Sequence, residues 1–127
     1  MEYIGFLCFI LAGMSEGVMD TLQFHYSISI FYNFKNKLFW NPQISWQNKY
    51  KNGDPTDGPK FLFSTNLLVG LTDGWHLFKF LRTFFIFAGI FFMFMFCQTP
   101  FHCLIDVMIA RIIFGVSFSL SYDYLFK

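Results

Sequence analysis

Apolar positions along the chain gather into three tracts, residues 3–34, 61–97 and 101–126, separated by one long polar segment and one short polar break. Each tract exceeds the roughly 20 residues that a helix needs to cross a hydrocarbon core of about 30 Å. The pattern therefore predicts an all-α integral membrane bundle of three long helices, one transmembrane domain over residues 1–127. The clearest span is 83–97, TFFIFAGIFFMFMFC, which carries no charge. At about 1.5 Å per residue the first two tracts would reach about 48 and 55 Å, so both must overhang the bilayer or kink where they meet the polar segment.

That segment, residues 35–60, contains Lys35, Lys37, Lys49, Lys51 and Lys60, five of the nine cations, against Asp54 and Asp57. Its Asn-Gly, Asp-Pro and Asp-Gly-Pro steps form turns. The positive-inside rule places it in the cytoplasm, with Trp40, Trp46 and Tyr50 at the headgroup level. The short break, Gln98-Thr99-Pro100, has no cation near it and reads as a tight external turn. The expected topology in the cell (inner) membrane is thus N-terminus outside, loop 35–60 and C-terminus cytoplasmic. A fourth span would need a turn within FKFLR, which has no Gly, Pro or Asn, and would leave Lys79, Arg82 and Lys127 outside. Met1-Glu2 supplies no basic region for a cleaved signal, so the first tract is expected to stay.

Composition sharpens this picture. Hydrophobic residues make up 55% and aromatic residues 24%, with Phe at 21 positions and charged residues at 13%, well under the roughly 25% of soluble domains. A soluble core of this size could not hide so many phenylalanines. A net charge of +1 points to no nucleic acid, leaving the lipid bilayer and a homo-oligomer or larger membrane complex as expected partners. Cys8, Cys97 and Cys103 form no CxxC pair and read as buried free thiols. A Cys97–Cys103 disulfide is the alternative if the turn between them faces an oxidising compartment.

The remaining polar residues are patterned. At about 100° per residue, Thr65, Asn66, Thr72, Asp73, His76 and Lys79 fall within about 140° of arc, and Glu16, Asp20, Gln23 and Ser27 within about 60°, while His25 points elsewhere. Counting inward from residues 34 and 61 at about 1.5 Å per residue places Asp20, Asp73 and His76 near one depth, about 18 to 22 Å. The same count puts Glu16 and Lys79 both at about 27 Å, which predicts a structural ion pair between them. LTDGWHLFKFLR (71–82) and SEGVMDTLQFH (15–25) would then be two halves of one polar layer. Gly13 and Gly17, Gly70 and Gly74, and Gly115 and Ser119 are small-xxx-small pairs suited to close helix packing around it.

The phrases DTLQFHYS and LTDGWHLFK resemble ones found in small multi-pass bacterial membrane proteins of uncharacterised activity. The resemblance covers the first helix, the WNPQISWQNKY loop and the second helix, and implies no reaction.

Each histidine has an aspartate nearby, which suggests a metal site. His76 and His102, however, lie at opposite ends of the charge-free span, on the order of 30 Å apart. The candidate ligands are therefore Asp20, His25, Asp73 and His76, a mixed set suited to Zn, Fe or Mn. Haem between His25 and His76 lacks a supporting motif. His102 and Asp106, one turn apart, are expected to bond each other. Arg111, about 11 residues into the third span, is an intramembrane cation with no evident counter-charge. There is no Walker A, GxSxG, HExxH, CxxCH or GxGxxG motif. The leading expectation is a scaffold or accessory subunit; the alternatives are an intramembrane metal-dependent hydrolase using the four candidate ligands and an oligomeric ion or proton conductor.

Overall fold

Long unbroken apolar runs favour helix where every backbone group must find an internal partner, and in the computed structural model, which describes residues 3–97 and 99–127, the described residues contain helices and no strand. Met1, Glu2 and Gln98 lie outside the described residues. The elements are α1 (Tyr3–Phe24), a short α2 (Lys37–Trp40), α3 (Gly74–Phe96) and α4 (Pro100–Leu120), with a π-helical extension over Ser121–Leu125. Three of these, with the extension counted in the last, are long and apolar enough to cross a membrane.

The helices are shorter than the tracts. The first stops at Phe24 rather than at residue 34, and the second begins at Gly74 rather than at 61. Beyond Phe24 the chain makes two 3-10 turns, Tyr26–Ile28 and Ile30–Asn33, on either side of an extended Ser29 whose hydroxyl donates to the Tyr26 carbonyl at 2.8 Å. This break brings Phe31 back onto Val18 and Leu22, where it is buried. Trp40 stacks on Phe31 at 5.1 Å between centroids. Trp40 is thus packed into an aromatic cluster with Phe31, while Trp46 remains exposed.

Residues 61–72 fold as turns for a different reason. Local turn bonds are supplemented by two that go sideways to the loop: the Ser64 hydroxyl donates to the Lys49 carbonyl at 2.8 Å, and the Asn48 amide to the Thr72 carbonyl at 2.6 Å. Lys60 Nζ in turn donates to Asn48 Oδ1 at 2.7 Å. Ser64 and Thr72 are consequently buried. The polar arc drawn through Thr65, Asn66 and Thr72 has no α-helix beneath it, only the 3-10 turn Val69–Leu71 before Thr72. Further out in the loop, the Thr56 hydroxyl and amide bond the Asp54 carboxylate at 2.7 and 2.8 Å and hold its pKa below the ordinary value.

Half of the apolar window of α1 is buried, against 6% and 11% for α3 and α4, so α1 is the central helix. The other two pack on it and scarcely touch each other. Small residues permit the close approach. A Cβ at Gly13 would stand 2.4 Å from the Phe114 carbonyl oxygen, and one at Gly17 would stand 2.6 Å from Ser121 Cβ. The Ser117 hydroxyl crosses this seam to the Ile10 carbonyl at 3.1 Å. On the other side Gly89 receives Phe9. Cys97 and Cys103 form a disulfide across the α3–α4 turn, with Cα atoms 5.6 Å apart, so the expectation of three free thiols fails; Cys8 alone is free, and buried.

Candidate functional site: a capped histidine and an apolar groove

An aspartate in extended conformation just before a helix is well placed to satisfy the first backbone amides. Asp73, at φ −149° and ψ 152°, caps α3 by accepting from the His76 amide at 2.8 Å. The same carboxylate holds the His76 ring, with Nδ1 at 2.9 and 2.7 Å from its two oxygens. Asp73 is 3% exposed. Donation from Nδ1–H to that carboxylate sets the imidazole tautomer and leaves Nε2 a hydrogen-bond acceptor without a partner among the described residues. The ring borders a cleft of about 260 Å³ beside Trp46, Lys49 and Trp75.

One and a half turns further along α3, Arg82 Nη1 meets Glu16 Oε2 at 2.5 Å. The expected Glu16–Lys79 pair does not form; Lys79 Nζ lies over the Trp75 ring at 5.0 Å instead. The reason is register. From the observed helix ends Glu16 and Arg82 are each eight residues in, about 12 Å, whereas Lys79 is five residues in, about 7.5 Å. Asp20 sits one turn from Glu16 on the same face of α1.

His25 turns away from this layer, its Nε2 lying 2.6 Å from the Tyr122 hydroxyl. Among the described residues no three His, Cys, Asp or Glu side chains converge as a metal-binding group. The ligand set Asp20, His25, Asp73 and His76, expected to take Zn, Fe or Mn, is therefore not assembled. His102 likewise bonds Thr99, Nδ1 to Oγ1 at 2.6 Å, rather than Asp106.

The splay of α3 and α4 opens an apolar groove of about 520 Å³ over α1, walled by Ile86, Ile90 and Met93 on one side and Val107 and Phe114 on the other. Arg111 lies in it. Its guanidinium sits 5.8 Å from the Phe114 ring centroid and beside Gly115. Among the described residues no carboxylate lies within ion-pair distance of it.

Trp75 and Tyr122 were not singled out from sequence, and Lys49 and Arg82 were read only as charges, without the neighbours they have here. Arg82, the second cation of LTDGWHLFKFLR, was passed over for Lys79 as the partner of Glu16. No protein-family model, curated protein or solved structure matches the chain.

Proposed function

We propose that the chain is a multi-pass inner-membrane protein that acts as a scaffold or accessory subunit, receiving a transmembrane segment of another protein in the α3–α4 groove. The observation that carries this reading is Arg111. Counted from Pro100 it is 11 residues in, about 16 Å, which is the middle of a hydrocarbon core of about 30 Å. An arginine there costs at least about 2.5 to 3.5 kcal/mol by insertion scales. Glu16, Asp73 and His25 have partners within the chain, and the groove around Arg111 is apolar. The complementary occupant is a helix with a carboxylate near its midpoint.

The lysines of loop 35–60 support a cytoplasmic placement for it, with the N-terminus outside. The Cys97–Cys103 disulfide lies at the opposite end, which suits an oxidising face. A cysteine introduced at Asn52 should react with an impermeant maleimide only in inverted vesicles; reaction from outside would reverse the topology.

A photocrosslinking residue at Ile90, in the groove, tests the docking. The expected result is one discrete adduct whose crosslinked peptide is a transmembrane segment with a central Asp or Glu. It should be lost in Arg111→Leu and kept in Arg111→Lys. A probe at Phe84, which faces outward, should give lipid adducts alone. Lipid adducts alone at Ile90 overturn the reading, and an adduct of twice the chain mass assigns the groove to a second copy instead.

A further inference from the structure

Where the loop meets the start of α3, the chain builds a second concavity unrelated to the groove. Two indoles, Trp46 and Trp75, line it together with Gln23, Lys49 and His76. Trp46 is 45% exposed, and its Nε1 donates to the Gln43 carbonyl at 3.1 Å, which fixes one edge of the indole. His76 is held by Asp73 through Nδ1, so Nε2 is the nitrogen available to a ligand. Lys49 is free of any carboxylate within ion-pair distance among the described residues; its ammonium lies 5.5 Å from the Tyr50 ring centroid. Lys79, which does not line the cleft, places a further positive charge 5.0 Å from the Trp75 ring centroid. The one acid at the cleft, Asp73, is buried with both oxygens turned to His76.

We infer that this cleft binds a phosphate-bearing anion, with the Lys49 ammonium on the phosphate, His76 Nε2 accepting from a hydroxyl of the glyceryl headgroup or of the phosphate itself, and Trp46 and Trp75 against the adjoining apolar or glyceryl part. An ammonium serves as a point charge for phosphate, and indoles prefer the level where apolar and hydrated matter meet. The cleft, about 260 Å³, is of headgroup size rather than lipid size. An anionic phospholipid headgroup and a free phosphate share this chemistry. Neutral zwitterionic headgroups do not, because their choline charge would face Lys49.

The test uses the full chain purified in a neutral detergent and titrated with short-chain phosphatidylglycerol, short-chain phosphatidylcholine or inorganic phosphate, read by tryptophan fluorescence and by native mass spectrometry. The expected result is saturable binding of one phosphatidylglycerol, with phosphatidylcholine roughly tenfold weaker or worse. Lys49→Gln should weaken it roughly tenfold, the loss of one charge-assisted hydrogen bond, and His76→Gln should weaken it less, the loss of a neutral one. Lys35→Gln, outside the cleft, should leave it unchanged. Lys49→Gln touches no core contact, so it remains informative if His76→Gln fails to fold. Inorganic phosphate that competes at comparable concentration supports the site with a free phosphate as its ligand; failure to compete supports the lipid. Equal binding of the two lipids, or an unaltered Lys49→Gln titration, overturns the proposal.

Discussion

Glu16→Gln and Arg82→Met should each lower stability in detergent by up to about 3 kcal/mol, and the double substitution should recover most of that loss. Removing one member of a buried ion pair strands the other without its counter-charge, at about 3 to 5 kcal/mol, whereas removing both strands nothing. The lower end of that range applies here because the Arg82 and Glu16 side chains keep 28% and 24% of their surface exposed. Arg82 Nε is buried with no hydrogen-bond partner, so the guanidinium depends on the Nη1 contact with Glu16 to offset its burial. Lys79→Met supplies the contrast. Its visible interaction is with the Trp75 ring, worth about 0.5 to 1 kcal/mol at an exposed site. Thermal unfolding of the wild type and the four variants in one detergent decides the matter. Additive losses for Glu16 and Arg82 would show that the two do not meet.

That pairing also shows how far the sequence could be read. The three long helices were legible because a stretch such as 83–97, without charge, Pro or Asn, has few alternatives to helix. The helix ends were not legible, because residues 25–34 and 61–72 are nearly as apolar as the spans they adjoin. Their apolar side chains have two uses that composition cannot separate. Phe31 closes the core under α1, while Leu62 and Leu67 remain 75% and 78% exposed on the turns before α3. An aspartate followed by a helical pattern is an N-terminus signal, and Asp73 carries it. Continuity of apolar residues outweighed that signal. Every depth counted from residue 61 then shifted, so Lys79 was matched to Glu16 in place of Arg82. The Asp73–His76 proximity survived because it is local, three residues apart, and needs no register between helices. Convergence of His25 with them depended on the helix ends and failed.

The packing around α1 leads to the other large expected effect. Gly13→Ala should prevent α4 from seating on α1 and sharply reduce folded yield, while Gly115→Ala should be nearly silent. Both glycines belong to small-xxx-small pairs and are equivalent by that motif. Their surroundings differ. A methyl group at Gly13 would meet the Phe114 carbonyl oxygen at 2.4 Å, Ser117 Oγ at 2.5 Å and the Phe118 nitrogen at 3.1 Å, two of them backbone atoms that cannot turn aside. One at Gly115 would meet only Arg111 Nη1 at 3.2 Å, the tip of a flexible side chain. Relief at Gly13 requires the whole α1–α4 seam to widen, which would break the Ser117 bond to Ile10 and disturb the Gly17–Ser121 contact one turn on. Overpacking of this kind costs about 1 to 3 kcal/mol or more. Because α3 and α4 are held together mainly through α1, loss of the seam would leave α4 attached by the Cys97–Cys103 turn and by its extension, through Tyr122 on His25 and Phe126 on Phe31. Monodisperse yield on size exclusion and the melting temperature in detergent measure the difference. Equal behaviour of the two alanine variants would mean that α4 does not sit on the Gly13 face of α1.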